Sequence, residues 1–229
     1  MGSTSEDFLN ALSASHRVLL LGGLAVIAHG MSRTTKDADV WLDSTLPLEE
    51  WIAAIERNLP KARKIYLFDL FRKEEISFAQ APVVVEELGV LRVGGLDRPV
   101  DIFRRPNELE IEEFDLAWEV SRPHILNLRL LDATLLIVTK ASSERDRDRE
   151  DIAFLEEKVR REWSAILAVC PLAEATALFS RYLDHATAEA ALQNPDPAVR
   201  ALGLEGLREL AEGGNPFAIA ALKRLDSPT

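Results

Sequence analysis

A single cysteine, Cys170, stands in the whole chain, so no disulfide can form within it, and the chain fits a reducing compartment. Long apolar runs are missing as well: no stretch approaches the roughly 20 residues that a helix needs to span a bilayer. The opening segment Met1-Gly2-Ser3-Thr4-Ser5-Glu6-Asp7 has neither the basic start nor the apolar core of a signal peptide. The expectation is a cytoplasmic protein that does not enter a membrane. Positive charge is scarce too. The 27 Lys and Arg residues against 38 Asp and Glu give a net charge of −11, which argues against an extended DNA- or RNA-gripping surface. Arg145, Arg147, Arg149, Lys158, Arg160 and Arg161 form a local basic group, but acids from Asp146 to Glu157 interleave with it, as on a solvated helix face. His16, His29, His124 and His185 show no metal-ligand spacing and read as structural.

With 229 residues the chain can bury one substantial core with an appendage, or two small ones. Ser3 to Glu6 reads as a capping box that opens a helix with Phe8, Leu9 and Leu12 on its buried side. Val18 to Leu21 is a continuous apolar run bounded by Arg17 and Gly22, the mark of a strand buried on both faces. Gly22 and Gly23 then permit a sharp turn, and Leu24 to His29 reads as a two-turn helix closed by Gly30. Such a corner offers backbone N–H groups to an anion, although two glycines after a strand more often make a plain tight turn.

Side chains alternate along a strand, so in Asp37 to Asp43 the residues Asp37, Asp39, Trp41 and Asp43 share one face, and Ala38, Val40 and Leu42 face the core. Two ionised carboxylates two positions apart repel each other and call for a positive partner; a solvent-facing edge strand is the plainer alternative. A third acid, Asp101, lies on a short strand opposite Val100 and Ile102. That strand follows Leu91-Arg92-Val93 and the turn Gly94-Gly95-Leu96-Asp97, as in a hairpin. Asp37, Asp39 and Asp101 together could form an all-oxygen site for magnesium.

Elsewhere, a helix is expected from Leu46-Pro47 to Leu59, with strands at 64–68, 83–87, 90–93 and 100–103. Segments 118–120 and 126–130 are expected to add a strand before an Asp132 helix cap. Lys140 falls near the end of that helix, either as a snorkelling surface lysine or as a cation complementing the helix dipole. Ser143 reads as the N-cap of the next helix, with Asp146 three residues on. Arg145, Asp148, Ile152, Leu155 and Val159 share one of its faces; Arg145 and Asp148 form a structural ion pair there or belong to a site. The layout is α+β: a mixed β-sheet with meander connections, flanked by helices, over residues 1–161, followed by an all-helical extension over 162–229. In the extension, Pro171 to Gln193, the Asp196-Pro197 start and the Asn215-Pro216 start mark three helices, with Gly213-Gly214 as a stop.

The order Gly22-Gly23, short helix, Gly30, Arg33, Thr35, Asp37, Asp39 and then an isolated Asp101 resembles the nucleotidyltransferase fold shared with DNA polymerase beta. It is most similar to the small bacterial branch that includes AbiEii-like abortive-infection toxins and minimal nucleotidyltransferases. Lys140, followed by Arg145-Asp146-Arg147-Asp148 and Asp151-Ile152, resembles a later helical segment of that branch, and the likeness covers about residues 15–160. The resemblance implies transfer of a nucleoside monophosphate from an NTP to an acceptor hydroxyl on RNA, protein or a small molecule, with Mg2+ or Mn2+. In this implied site Asp37, Asp39 and Asp101 hold metal and do the catalytic work, while Gly22, Gly23, Arg33, Thr35 and Lys140 bind the NTP phosphates. It also implies an antitoxin as a partner. Two other readings start from the same residues. One is a metal-dependent glycosyltransferase, whose chemistry uses Asp-x-Asp but does not call for the Gly-Gly unit or Arg33-x-Thr35. The other is an inactive relative that keeps the fold as a binding module, against which stands the presence of all three acids.

Overall fold

The computed structural model describes residues 4–61, 64–143 and 145–226. Ser3 of the expected capping box lies outside them, and the box is built one residue later. The Thr4 hydroxyl accepts from the Asp7 N–H (3.0 Å) while the Asp7 carboxylate accepts from the Thr4 N–H (2.9 Å). Helix α1 (Ser5–Ser13) follows and buries Phe8, Leu9 and Leu12.

The chain continues through β1 (Val18–Leu21), α2 (Gly22–Ala28), β2 (Ala38–Leu42), α3 (Leu48–Asn58), β3 (Tyr66–Asp69) and β4 (Glu74–Ile76). Next come α4 (Ala81–Leu88), β5 (Val90–Gly94), β6 (Val100–Phe103), α5 (Phe114–Val120), β7 (Arg122–Pro123), β8 (Arg129–Leu130), α6 (Ala133–Ala141) and α7 (Asp146–Leu167). Among the described residues the strands make one eight-stranded sheet in the order β4-β3-β5-β6-β2-β1-β8-β7. It is mixed: β1 is antiparallel to β2 and parallel to β8, β2 is parallel to β6, and β5 is antiparallel to both β6 and β3. The α+β class expected from the sequence is therefore the observed one.

Local expectations hold where a strong stop signal bounds an apolar run. All four residues of β1 are buried, Asp132 caps α6 by accepting from the Thr134 N–H, and β5 and β6 form the expected hairpin. They fail at the valine run, where β-branched composition and helix punctuation point in opposite directions. Val83 to Glu87 is helix, not strand: Pro82 opens α4, and Gly89 closes it in the left-handed region with φ +69°. Burial in α4 falls on Ala81, Val84 and Val85 while Val83 stays exposed, a helical spacing. Trp118 to Val120 likewise belongs to α5, and of 126–130 only Arg129–Leu130 pairs as a strand. Strand β4 carries no apolar alternation and joins the sheet at its edge through register with β3.

The chain forms two compact units, one up to Ile152 and one from Ala153. Past α7 the second unit continues through α8 (Leu172–Arg181), α9 (His185–Ala191), α10 (Pro197–Glu212) and α11 (Pro216–Asp226). The expected single helix of 171–193 is thus two helices, because Tyr182 is extended and Asp184 caps a new start by accepting from the Ala186 N–H at 2.8 Å. Ala188, Leu207, Ala218 and Ala221 form the buried centre of α9 to α11. A Cβ at Gly203 would come within 2.8 Å of the Ala188 carbonyl oxygen, so α10 can approach α9 this closely only through glycine.

Candidate functional site

Register across the first unit's sheet aligns the acids. Asp39 on β2 is the direct partner of Asp101 on β6, Asp101 is the partner of Arg92 on β5, and Arg92 is the partner of Phe68 on β3. Asp37 lies one residue ahead of β2, and its carboxylate nevertheless reaches the same side as that of Asp39. One carboxylate oxygen from each of Asp37, Asp39 and Asp101 lies within 4.8 Å of the others. Three carboxylates at that spacing repel. Burial first, then the charges of Asp37 and Asp101, push the Asp39 carboxyl up to about 7, against a Gly23 N–H hydrogen bond and the Lys140 charge. A donor set made only of carboxylate oxygens, with negative charge to spare, fits a hard divalent cation such as Mg2+ or Mn2+.

Strand parity does not extend the site beyond Asp39. Trp41 is fully buried; its ring meets Phe114 edge-on at 5.1 Å, and its Nε1 donates to the Arg104 carbonyl at 3.1 Å. Asp43 is bound by Arg17 at 2.8 Å. Helix α5 thus covers the far half of the strand face, and the acids occupy the open half.

Glycines at the β1–α2 corner make room for this arrangement. Gly22 has φ +56°, and a Cβ built there would fall inside the Asp39 carboxylate. A Cβ at Gly23 would stand 2.8 Å from both Arg33 Nη2 and Thr35 Oγ1. The Gly23 N–H is directed at Asp39, so the corner serves the acid directly. Thr35 donates its hydroxyl to Asp37 Oδ1 at 2.9 Å and orients that carboxylate.

Beside the acids lies a buried charge network. Lys140 Nζ donates to Asp148 Oδ1 at 2.7 Å and contacts Asp151 Oδ2 at 2.8 Å. Arg33 Nη2 donates to the same Asp151 oxygen at 2.8 Å. Arg145 Nε and the Ser143 hydroxyl bind Asp148 Oδ2 at 2.7 and 2.6 Å. The Arg145–Asp148 ion pair is therefore formed, and Ser143 reaches the Asp148 side chain from ahead of α7. Burial alone would raise the Asp148 carboxyl; hydrogen bonds from Lys140 and Ser143 overcome it and hold it at about 2. Asp151 Oδ1 and Arg33 Nε are buried with no hydrogen-bond partner among the described residues.

The three acids, with Arg33, Lys140, Ser143, Arg145 and Asp148 of the charge network, line a cavity of about 530 Å3. Gly22, Gly23, Arg33, Thr35, Asp37, Asp39, Asp101 and Lys140, the residues expected from the sequence, all border it. Leu70, Phe103 and Pro106 border it too, adding an apolar stretch, and Asn107 adds a neutral polar side chain. Arg92 was the residue that sequence reasoning passed over: its guanidinium grips Asp101 at 2.6 and 2.7 Å and stands 3.8 Å from Asp37 Oδ2. The signal for it was the hairpin, since Arg92 is the lone charge in Val90-Leu91-Arg92-Val93 and hairpin pairing sets that strand beside Asp101. Asp151, which in the sequence is one of the acids interleaved with the local basic group and part of the family resemblance, is buried and anchors both Arg33 and Lys140.

No family model and no curated protein matches the chain. Among solved structures it is similar to the crystal structure of a "putative nucleotidyltransferase from H. pylori", at 13% sequence identity and a TM-score of 0.37, covering 97% of this chain and 94% of that one. No described helix is long and apolar enough to cross a membrane.

Proposed function

We propose that the protein is a nucleotidyltransferase that moves a nucleoside monophosphate from an NTP to an acceptor hydroxyl. The observation that carries this reading is the convergence of Asp37, Asp39 and Asp101 within 4.8 Å, on the wall of a cavity that Arg33, Thr35 and Lys140 also line. The motif order along the sequence supports it independently, and it points to the small bacterial branch with AbiEii-like toxins, whose members would imply an antitoxin partner.

In this reading Asp37 and Asp39 hold Mg2+ or Mn2+ together with the triphosphate, and Asp101 serves the acceptor side. When bound, the divalent ion supplies positive charge to the phosphate oxygens as the leaving pyrophosphate becomes more negative. Thr35 keeps Asp37 aimed, and the Gly22-Gly23 corner keeps the approach to Asp39 free of side chains. Arg33 and Lys140, held from behind by Asp151, present cationic surface to the same phosphates. The acceptor oxygen attacks the α-phosphorus, the bond to pyrophosphate breaks, and the acceptor proton leaves toward Asp101.

The test is incubation of the purified protein with each α-labelled NTP, Mg2+ or Mn2+, and cell extract. Labelling of an acceptor should require the metal and vanish in Asp37→Asn and Asp39→Asn, both of which should fold. Labelling that survives chelation, or that both variants retain at the wild-type level, rules the mechanism out.

A further inference from the structure

The three acids are not equivalent. Asp37 spends Oδ1 on Thr35, and among the described residues its Oδ2 is met by Arg92 at the longer distance of 3.8 Å. Asp39 is opposed by neighbouring charge and receives one backbone N–H. Asp101 differs from both, because Arg92 Nε binds its Oδ1 and Arg92 Nη2 binds its Oδ2, so one planar fork covers the whole carboxylate. A bidentate guanidinium–carboxylate pair is among the strongest polar contacts available to side chains, and the fork fixes direction as well as charge. The β5–β6 register holds it there, with Arg92 directly opposite Asp101.

A divalent ion approaching Asp37 and Asp39 relieves repulsion. One approaching Asp101 meets a guanidinium already in contact with both oxygens and must share or displace it. We propose that Arg92 is a positioning residue that makes cation binding at this site unequal: it keeps Asp101 occupied by a resident cation, so that the first divalent ion goes to Asp37 and Asp39 and Asp101 accepts one only as a guanidinium bond gives way. This rests on the metal-dependent reading above and adds to it an order of loading set by the protein itself.

The experiment is titration with Mn2+, with free Mn2+ read by electron paramagnetic resonance, in the presence of a non-hydrolysable NTP analogue. Wild type, Arg92→Met and Arg92→Lys are compared after their melting curves confirm folding. Wild type should show a tight and a weak class of Mn2+ site separated by about tenfold or more, as expected for giving up a charge-assisted bond. Arg92→Met should largely close that gap, chiefly by tightening the weaker class. Arg92→Lys, which keeps the charge and the fold but loses the two-pronged fork, should close it in part. A gap unchanged in both variants overturns the inference, as does a parallel shift of both classes, which loss of charge alone would produce. Should Arg92→Met fail to fold, Arg92→Lys decides by the same criterion. Absence of Mn2+ binding in every folded protein overturns the nucleotidyltransferase reading itself, whereas NTP-dependent labelling with a gap indifferent to Arg92 overturns only this inference.

Discussion

Asp39 and Asp101 are direct register partners on neighbouring parallel strands, and their shared position across β2 and β6 turns two separate acids into one charged face. Burial of Asp39, with the charges of Asp37 and Asp101 beside it, gives this face a dependence of stability on pH.

Asp39 has its carboxyl raised from 3.8 to about 7 in the folded protein. The folded state therefore holds a proton that the unfolded chain has released, and stability falls as pH rises from about 4 to 7. In chelator-treated protein, Asp39→Asn removes this loss. The variant should melt above wild type at pH 8, by an amount on the order of 2–4 kcal/mol, and the difference should shrink toward pH 4. A difference that is the same at both ends of the range contradicts the assignment.

Gly22→Ala and Gly89→Ala both place a Cβ at positive φ, +56° and +69°, and each should lose about 1 kcal/mol or more in urea denaturation. Only the Gly22 variant intrudes on Asp39. It alone should lose the Mn2+-dependent rise in melting temperature, and an equal metal response in the two variants would show that the corner has no part in the site.

Asp151→Ala leaves Lys140 and Arg33 in a buried setting without their shared carboxylate. Breaking a buried pair from one side costs about 3–5 kcal/mol, measurable as a lowered urea midpoint. Asp148, held at about 2, acts in the opposite pH sense to Asp39: its contribution is complete above pH 4 and is lost as pH falls through 2. Asp148→Asn should therefore narrow its deficit against wild type at acid pH, and a deficit independent of pH would place its role outside the ion network.

Replacement of a helical glycine by alanine ordinarily stabilises by up to about 1 kcal/mol. Gly203→Ala should do the reverse, because its Cβ would press on the Ala188 carbonyl at 2.8 Å, whereas Gly213→Ala, at the C-cap of α10 with φ −71°, meets nothing closer than 3.4 Å. Chemical denaturation of the two variants separates them; equal stability would mean that α9 and α10 have room to part.

The elements bounded by strong local signals were legible in advance: the apolar run of β1 before Gly22, the Asp132 cap, the hairpin around Gly94 and Gly95, and the proline starts of α10 and α11. The valine run of α4 was not, because β-branched composition and helix punctuation at Pro82 and Gly89 point in opposite directions, and burial on the folded molecule decides between them. The site shows the same division. Strand parity was enough to place Asp37 and Asp39 on one face, but parity also included Trp41 and Asp43, which α5 and Arg17 take out of reach.

By itself, then, the sequence determined the α+β class, the shared direction of Asp37 and Asp39, and the glycine corner ahead of them, because alternation and turn chemistry are set within a few residues. Tertiary structure decided which strands are neighbours, that Asp101 meets Asp39, that Arg92 closes on Asp101, and that Lys140 and Arg33 converge on Asp151. Those relationships depend on register and packing between distant segments, which no local period encodes.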